Sequence, residues 1–396
     1  MEYRRFGKTE LEMPVLTAGG MRFQASWNAA ETDKITDEGQ ANVAACLRRA
    51  LDEGITHFET ARGYGTSETQ VGRAMKLLPR EQILLQTKIG PTETGEEFAQ
   101  HFEESLERLQ TDYVDLLAIH GINTEATLEK TLRTDGCLEM AEKLKADGRV
   151  RHVGFSSHGP TDVIVNSIAT GRFEYVNLHW FWNQQEKWPA IAAAAERDMG
   201  VLIISPNDKG GRLFDPPARL VGLCEPMVPM EFNDLFCLRR REVHTLSIGI
   251  RRPEDFDIHL RAVGELHDDG AADLVRQIDE RLRAEFRGVL GEEYCATWSE
   301  GLPDWPDVPG EVNVRFIVWL HNLATVLGIT SFCKDRYGLL GNAGDWVPGK
   351  PLGQTAPADL AEALAASPHA DRIGEILAEA HEMFAGKDGK RLQSEE

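Results

Sequence analysis

Short apolar runs alternate with amphipathic segments over the first two-thirds of the chain. Strands are predicted for eight such runs, at residues 15–18, 55–58, 83–87, 113–119, 150–155, 175–178, 201–204 and 243–248. Between them, apolar residues recur at helical spacing, for example at residues 40–52, 97–109, 139–147, 188–197 and 253–266. The runs lack internal alternation, as is typical of parallel strands buried under helices on both faces. Eight such units are enough to close a (β/α)8 TIM barrel.

An open, doubly wound sheet also alternates strands with helices. That fold is expected to carry G-x-G-x-x-G after its first strand. The nearest match here, at residues 63–68, lacks the third glycine. We therefore predict an α/β chain with a (β/α)8 barrel, preceded by a hairpin at residues 3–13 that turns at Gly7-Lys8-Thr9.

The pattern changes beyond about residue 268. Helices are predicted at residues 271–290, 311–327, 359–366 and 371–384, separated by loops rich in Gly, Pro and Trp. No strand periodicity interrupts them. The predicted division is a barrel domain at residues 1–267 and a helical C-terminal region at residues 268–396, whose charged tail after Gly386 is expected to fray.

Composition narrows the functional classes. The 396 residues include 43 Lys and Arg against 64 Asp and Glu, a formal charge of −21 that disfavours nucleic acids and anionic membranes as partners. No apolar run approaches the roughly 20 residues of a membrane span, and the polar first residues do not resemble a signal peptide. Six widely spaced cysteines without a C-x-x-C pair predict reduced, buried thiols in a cytoplasmic protein.

Three titratable side chains stand where predicted strands end, namely Glu59, Lys88 and His120. Tyr64 follows the first of these strands in a turn between two glycines. All four belong at the rim where barrels of this kind place their active sites. A buried lysine needs a counter-ion, which Glu59 on the neighbouring strand can supply. A nearby Lys⁺ also favours the phenolate, which would make Tyr64 a proton donor near neutral pH.

Each of these residues has a simpler explanation when taken alone. A lysine at a strand end commonly extends its ammonium to solvent, a lone histidine is commonly a hydrogen-bonded structural residue, and a tyrosine between glycines is commonly a turn residue. The functional interpretation is preferred because three neighbouring βα units would deliver complementary groups to one rim.

Four segments resemble the aldo-keto reductases, at residues 57–69, 86–89, 115–120 and 154–158, within a likeness that extends from residue 3 to Leu260. By position, the family's Asp, Tyr, Lys and His tetrad falls on Glu59, Tyr64, Lys88 and His120. The resemblance implies hydride transfer between NADP and a small-molecule aldehyde, ketone or alcohol. Tyr64 would protonate the carbonyl oxygen, Lys88 would tune Tyr64, Glu59 would anchor Lys88, and His120 would orient the carbonyl.

The resemblance also implies cofactor contacts but no metal. The candidate cofactor residues are Gly20, Met21, Ser156, Ser157, Asn177, Ser205, Pro206, Lys209, Gly211, Gly249, Arg251, Arg252 and Asp257. The two serines would hold the nicotinamide amide, and the loop at residues 205–211 would cross the pyrophosphate. A helix starting near Pro253, with Arg251 or Arg252, could hold a 2′-phosphate and so favour NADP over NAD. The alternative to a phosphate site is that Arg251 and Arg252 are two exposed arginines in a loop.

The chain departs from the family's pattern at several positions. Glu59 replaces an aspartate, and His259 stands where relatives usually place an adenine-contacting asparagine. The C-terminal region resembles the ferredoxin-like extension of some aldo-keto reductases, but Cys295 and Cys333 are too few for an iron–sulfur cluster. An electron-transfer protein is therefore disfavoured. The alternative to a reductase is a catalytically weakened nicotinamide-binding or interaction protein on the same scaffold. Substrate and oligomeric state are left open.

Overall fold

The computed structural model describes residues 1–353 and 355–386. These residues form two compact units. The first consists of Met1–Gly210 and Asn233–Ala271, and the second of Gly211–Phe232 and the described residues after Ala271. The segment 211–232, which the sequence pattern assigns to the barrel domain, therefore groups with the C-terminal helices. The charged tail after Gly386 lies outside the described residues.

Eight parallel strands close a barrel in the first unit. An antiparallel hairpin, β1 (Tyr3–Arg5) and β2 (Glu12–Pro14), precedes it. The barrel strands are β3 (Leu16–Gly19), β4 (His57–Glu59), β5 (Leu84–Ile89), β6 (Val114–His120), β7 (Val150–Ser156), β8 (Tyr175–Leu178), β9 (Gly200–Ile204) and β10 (Thr245–Gly249). They pair in chain order, and β10 pairs with β3 to close the ring. The predicted fold and all eight strands are confirmed, with strand ends displaced by at most two residues.

Helices follow the strands of the barrel. They are Asp37–Asp52, Ser67–Met75, Gly95–Leu109, Glu125–Leu132, Cys137–Ala146, Thr161–Ala169, Trp188–Glu196, Pro206–Lys209, Pro229–Leu238 and Phe256–Gly264, with 3-10 turns at Gly20–Phe23, Thr32–Lys34, Arg80–Gln82 and Pro253–Asp255. Threonine caps begin three of the helices, since Thr36, Thr94 and Thr124 each accept a hydrogen bond from the amide three residues on. The sequence also leads us to expect a loop at residues 214–233, next to the substrate pocket. This expectation was wrong, because Ala218–Cys224 and the start of Pro229–Leu238 are helical.

The second unit is helical. Its elements after residue 271 are the remainder of Asp269–Leu290, then Glu292–Thr297, Val314–Leu327, Thr330–Tyr337, Ala361–Leu364 and Ala370–Phe384, with 3-10 turns at Trp305–Asp307, Pro309–Glu311, Gly344–Trp346 and Pro357–Leu360. Tyr337 Oη lies 2.6 Å from His381 Nδ1, and the Arg372 guanidinium stacks 3.7 Å from the Tyr294 ring centroid. The resemblance of this unit to a ferredoxin stays a prediction.

The cysteines are all free thiols. Five are buried, but Cys295 is partly exposed, so the expectation that all six are buried was wrong at this position. Within the described residues, no group of three His, Cys, Asp or Glu side chains is arranged to hold a metal ion. None of the helices described here has the length and apolar character of a membrane span.

Candidate active site

The four residues predicted from strand ends meet at the carboxyl-terminal end of the barrel. Glu59 is the last residue of β4, His120 the last of β6, and Lys88 the penultimate residue of β5. Tyr64 lies in the turn that links β4 to the helix Ser67–Met75. Parallel strands end at one edge of the sheet, so residues far apart in sequence share this rim.

Lys88 and Glu59 form a buried ion pair. The exposed fractions of their side chains are 1% and 4%, and Lys88 Nζ contacts Glu59 Oε1. Burial lowers the pKa of the Lys88 ammonium well below its usual value, while the touching carboxylate opposes that shift by favouring the charged form. The Lys88 ammonium also donates to the Thr60 carbonyl at 2.9 Å. The pair therefore places an amino group and a carboxylate in contact deep in the barrel mouth.

Tyr64 completes this chain of contacts. Lys88 Nζ donates to Tyr64 Oη at 3.2 Å and lies 4.7 Å from the centre of the phenol ring. The rings of Tyr64 and His120 stand nearly perpendicular, with their centroids 5.8 Å apart. A phenol that accepts a hydrogen bond from an ammonium keeps its own O–H for another acceptor. A carboxylate, an ammonium, a phenol and an imidazole thus converge, as predicted.

The turn that carries Tyr64 depends on Gly65. Its φ of +55° lies in the left-handed region, and a Cβ at this position would collide with the Ser26 backbone. The turn is closed by two hydrogen bonds, from the Tyr64 amide to the Ala61 carbonyl and from the Ser67 amide to the Tyr64 carbonyl. Glycine is required here because any side chain at this position would collide with the Ser26 backbone and disturb the turn that carries Tyr64.

Ser156 and Asn177 form the next part of the rim. Their Cα atoms are partners across β7 and β8, and both residues are fully buried. Ser156 Oγ accepts from the Gly121 amide at 3.1 Å, which leaves its O–H to donate. Both polar atoms of the Asn177 amide are buried without a hydrogen-bond partner. A ligand carboxamide would satisfy such an amide, since each supplies the donor and acceptor that the other requires.

Ser157, the second predicted amide ligand, is already engaged. Its hydroxyl donates to the Ile122 carbonyl at 2.6 Å and accepts from the Gly159 amide at 3.0 Å. Its hydrogen is therefore used to hold the β6 and β7 loops together. Of the two predicted serines, Ser156 is the better placed to donate to a ligand.

The loop after β9 is held rigidly. Ser205 has a left-handed φ of 57°, and Pro206 begins the one-turn helix Pro206–Lys209. Asn207 Nδ2 lies 3.0 Å from His259 Nε2, and His259 Nδ1 contacts Asp234 Oδ2. His259 is fully buried and contacts this loop through Asn207. A side chain with no exposed surface does not suit a contact with adenine. Gly211, the last predicted residue of the loop, has a φ of +123° that favours glycine.

Polar groups also surround the end of β10. Arg251 and Arg252 are exposed. This exposure also fits the alternative to phosphate binding, in which both are simply arginines of a solvent-exposed loop. Asp255 Oδ2 accepts from the backbone amides of both, directly before the helix start that was predicted to hold a 2′-phosphate. Arg252 Nε also pairs with Asp255 at 3.2 Å across an exposed surface. Asp257 forms an ion pair with Arg49.

The remaining candidates frame the mouth through their backbone. Gly20 and Met21 open the 3-10 turn Gly20–Phe23 directly after β3, and the Gly20 carbonyl accepts from Ser67 Oγ at 2.8 Å. Gly249 ends β10 opposite Gly19. A Cβ at Gly249 would approach Arg22 Cδ to 3.0 Å, so glycine lets the Arg22 side chain lie across the strand end.

Sequence reasoning missed two parts of the site. Ser247 of β10, which is separated from β4 only by β3, donates to Glu59 Oε2 at 2.8 Å. Polar residues at every second position of β10 (Thr245, Ser247) were the available signal. The second omission is that His158 and His179, which follow β7 and β8, both contact Lys209.

Comparison with known proteins points to one family. The model of the aldo/keto reductase family matches residues 15–209. Residues 15–209 belong to the aldo/keto reductase family. Among curated relatives, probable aldo-keto reductase 1 of Glycine max is 28% identical over 52% of this chain, and the match spans 59% of that relative's length. L-galactose dehydrogenase of Arabidopsis thaliana is 23% identical over 76% of this chain and 98% of its own.

Solved structures share the aldo-keto reductase barrel. The holo form of an aldo-keto reductase from Bacillus halodurans is 22% identical, with a TM-score of 0.59 over 71% of this chain and 96% of that one. An aldo-keto reductase from Klebsiella pneumoniae in complex with NADPH is 21% identical, with a TM-score of 0.55 over 70% and 95% of the two chains. At these identities the likeness establishes the fold.

Proposed function

We propose that this protein is an NADP-dependent oxidoreductase that interconverts an aldehyde or ketone and the corresponding alcohol. The observation that carries the proposal is the chain of contacts from Glu59 through Lys88 to Tyr64, with His120 beside the phenol. This set occupies the carboxyl-terminal rim of an aldo-keto reductase barrel, where this fold places its chemistry.

The proposed roles follow from charge and position. When bound, NADPH supplies a hydride to the carbonyl carbon. Tyr64 donates its proton to the carbonyl oxygen, and the Lys88 ammonium stabilises the phenolate that remains. Glu59 keeps Lys88 charged in spite of its burial. His120 donates a hydrogen bond to the carbonyl oxygen and so fixes its direction toward Tyr64.

The proposed cofactor residues lie on two sides of the rim. Asn177 and Ser156 would hold the nicotinamide carboxamide, which fits the two buried amide atoms of Asn177 that have no partner. The loop at residues 205–211 would cover the pyrophosphate. Arg251 and Arg252 would attract a 2′-phosphate and favour NADP over NAD. The NADPH complex of the Klebsiella relative supports the same choice.

Two further expectations belong to the same proposal. Trp180, Trp182 and Trp188 lie in or beside the loop between β8 and the next helix, and Trp180 stacks on Phe236 with ring centroids 5.0 Å apart. This favours a small carbonyl compound with an apolar or aromatic body as substrate. Free thiols at all six cysteines favour a cytoplasmic location.

Consumption of NADPH tests the proposal directly. The purified protein is mixed with NADPH or NADH and a panel of aldehydes and ketones, and the loss of nicotinamide absorbance is followed. We expect turnover that is roughly tenfold or more faster with NADPH at low cofactor concentration, because a charged hydrogen bond to the 2′-phosphate is lost with NADH. Tight NADPH binding without turnover of any carbonyl would instead favour a non-catalytic nicotinamide-binding protein.

A further inference from the structure

Four basic side chains gather on the barrel rim next to His120, and three of them have no part in the reaction proposed above. We call His158, His179, Lys187 and Lys209 the His–Lys cluster. His158 lies two residues beyond the end of β7, and His179 directly follows β8. Lys187 directly precedes the helix Trp188–Glu196, and Lys209 ends the short helix after β9.

The contacts within the cluster are close. Lys209 Nζ lies 2.9 Å from His179 Nε2 and 3.2 Å from His158 Nδ1. The two imidazole rings meet edge to face, with centroids 4.3 Å apart. Lys187 Nζ lies 3.4 Å from the His158 carbonyl. His179 and Lys187 are 3% and 4% exposed, so the cluster is built into the rim and is not a solvated surface patch.

With Lys209 charged, its two contacts determine which nitrogen of each ring carries hydrogen. An ammonium has donors only, so His158 Nδ1 and His179 Nε2 must both accept from Lys209. Each ring is then neutral and carries its hydrogen on the other nitrogen. Burial, followed by the charges of Lys209, His179, Lys187 and His120, lowers the pKa of His158 well below its usual value. The cluster therefore combines two ammonium groups with two neutral N–H donors.

This combination is suited to an oxyanion. Positive charge and N–H donors at a partly buried site stabilise a carboxylate or phosphate more strongly than they would in water. The chain as a whole carries a formal charge of −21, so an anionic ligand is attracted only where cations are concentrated locally. The cluster provides that concentration at the open end of the barrel.

We propose that the His–Lys cluster binds an anionic group, a carboxylate or a phosphate, on the carbonyl substrate. The inference rests on the proposed function and names the substrate class of the same site. Three members of the cluster, His158, His179 and Lys187, have no part in the proposed cofactor site. His158 also feels the charge of His120, the residue proposed to orient the carbonyl, which favours the substrate as the ligand. The arginines proposed for a cofactor phosphate follow β10, on the other side of the loop at residues 205–211.

Matched pairs of aldehydes test the inference. Steady-state kcat/KM is measured with carboxybenzaldehydes and with methylbenzaldehydes substituted at the same ring positions. We expect the native protein to prefer the carboxylate by about tenfold or more, the size of a charge-assisted hydrogen bond. In Lys209→Gln the carboxylate-to-methyl ratio should fall by a similar factor. Lys76→Gln, which changes an exposed lysine at the end of the helix Ser67–Met75, should leave the ratio unchanged.

Direct binding separates the two possible sources of the anion. The NADPH dissociation constant is read from nicotinamide fluorescence. In Lys209→Gln it should change by a smaller factor than the carboxylate-to-methyl ratio of kcat/KM. An unchanged carboxylate-to-methyl ratio would show that the cluster does not bind an anion on the substrate. Weakening of NADPH binding by as large a factor as the fall in that ratio would show that the cluster binds the dinucleotide. Either result would overturn the inference.

A readout without turnover keeps this inference distinct from the proposed function. Benzoate should raise the melting temperature of the native protein with NADP present, whereas uncharged benzamide should raise it less, and the difference should vanish in Lys209→Gln. Benzoate binding without reduction of any aldehyde would support the anion site while the reductase proposal fails. Equal effects of benzoate and benzamide on the native protein would overturn the anion site.

Discussion

At the scale of single residues, the main departure from the family pattern is Glu59. Its side chain contacts Lys88 through one carboxylate oxygen and accepts from Ser247 through the other. Because both contacts are buried, loss of the carboxylate charge would leave an ammonium without compensation in the barrel interior. One glutamate side chain reaches both partners, so this departure from the family pattern keeps the buried ion pair.

Glu59→Gln tests the charge at this position. We expect kcat to fall by at least about 10²-fold, because Lys88 then either loses its proton or remains charged and unpaired, at a cost of about 3–5 kcal/mol. Glu59→Asp keeps the charge and should lose less activity than Glu59→Gln. Ser247→Ala, which removes only the second contact, is the matched control. Native turnover by Glu59→Gln, measured with NADPH and an aldehyde, would show that the ion pair is not needed.

The tetrad could be predicted from sequence because each member follows a short apolar strand. Parallel strands of a barrel end on one rim, so the order of residues along the chain already implies their convergence. Ser247 could not be assigned its partner in this way, because its contact with Glu59 depends on closure of the barrel between β10 and β3. Lys209 was recognised as a loop residue, but its turn toward His158 and His179 is set by side-chain packing.

At the scale of elements, the loop after β9 is connected to two helices by one chain of hydrogen bonds. Asn207 of the loop contacts His259 of Phe256–Gly264, which contacts Asp234 of Pro229–Leu238. His259 and Asp234 are 0% and 1% exposed. The sequence marked His259 only as an unusual residue at an expected adenine contact. Its actual role could not be predicted, because the partner Asp234 follows a segment that sequence reasoning took for a loop.

His259→Asn, which restores the residue common among relatives, should destabilise this protein. The shorter side chain cannot span from Asp234 to Asn207, and a buried carboxylate is left with one partner fewer, at a cost of about 3–5 kcal/mol if it stays charged. Urea denaturation gives the free energies of unfolding for His259→Asn, Asp234→Asn and the double variant. A coupling energy above about 1 kcal/mol is expected. Additive effects would show that the two side chains do not act together.

At the scale of the whole molecule, buried histidines link stability to pH. Burial, with a contribution from Lys88, lowers the pKa of His57 to about 3. Burial and the nearby Arg4 lower the pKa of His244 to about 4. His57 Nδ1 lies 2.8 Å from Thr17 Oγ1, and His244 Nδ1 accepts from the Val201 amide. Both rings are neutral in the folded protein, whereas the unfolded chain takes up protons near pH 6.5.

The folded protein should therefore lose stability on acidification. Since the unfolded state binds more protons below about pH 6.5, each of the two rings removes about 2 kcal/mol at pH 5 relative to neutral pH. Urea denaturation at the two pH values, followed by circular dichroism, measures the change. His244→Gln should reduce the difference between them by about 2 kcal/mol. A variant with the native pH dependence would show that His244 titrates normally in the folded state.

The division into units was the least predictable feature at this scale. The alternation of strands and helices predicted the barrel, because periodicity reports burial along one segment. It could not show that residues 211–232, which lie between β9 and β10 in sequence, group with the C-terminal helices. Assignment to a compact unit depends on contacts between distant segments, which local patterns do not record.

The proton donor is the central claim, and Tyr64→Phe tests it most directly. The substitution removes one oxygen, the atom that accepts from Lys88 at 3.2 Å, and leaves the ring in place. With NADPH and an aldehyde that the native protein reduces, we expect kcat to fall by about 10²–10⁴-fold, while the NADPH dissociation constant stays within about threefold of the native value. Turnover by Tyr64→Phe at the native rate would contradict the account.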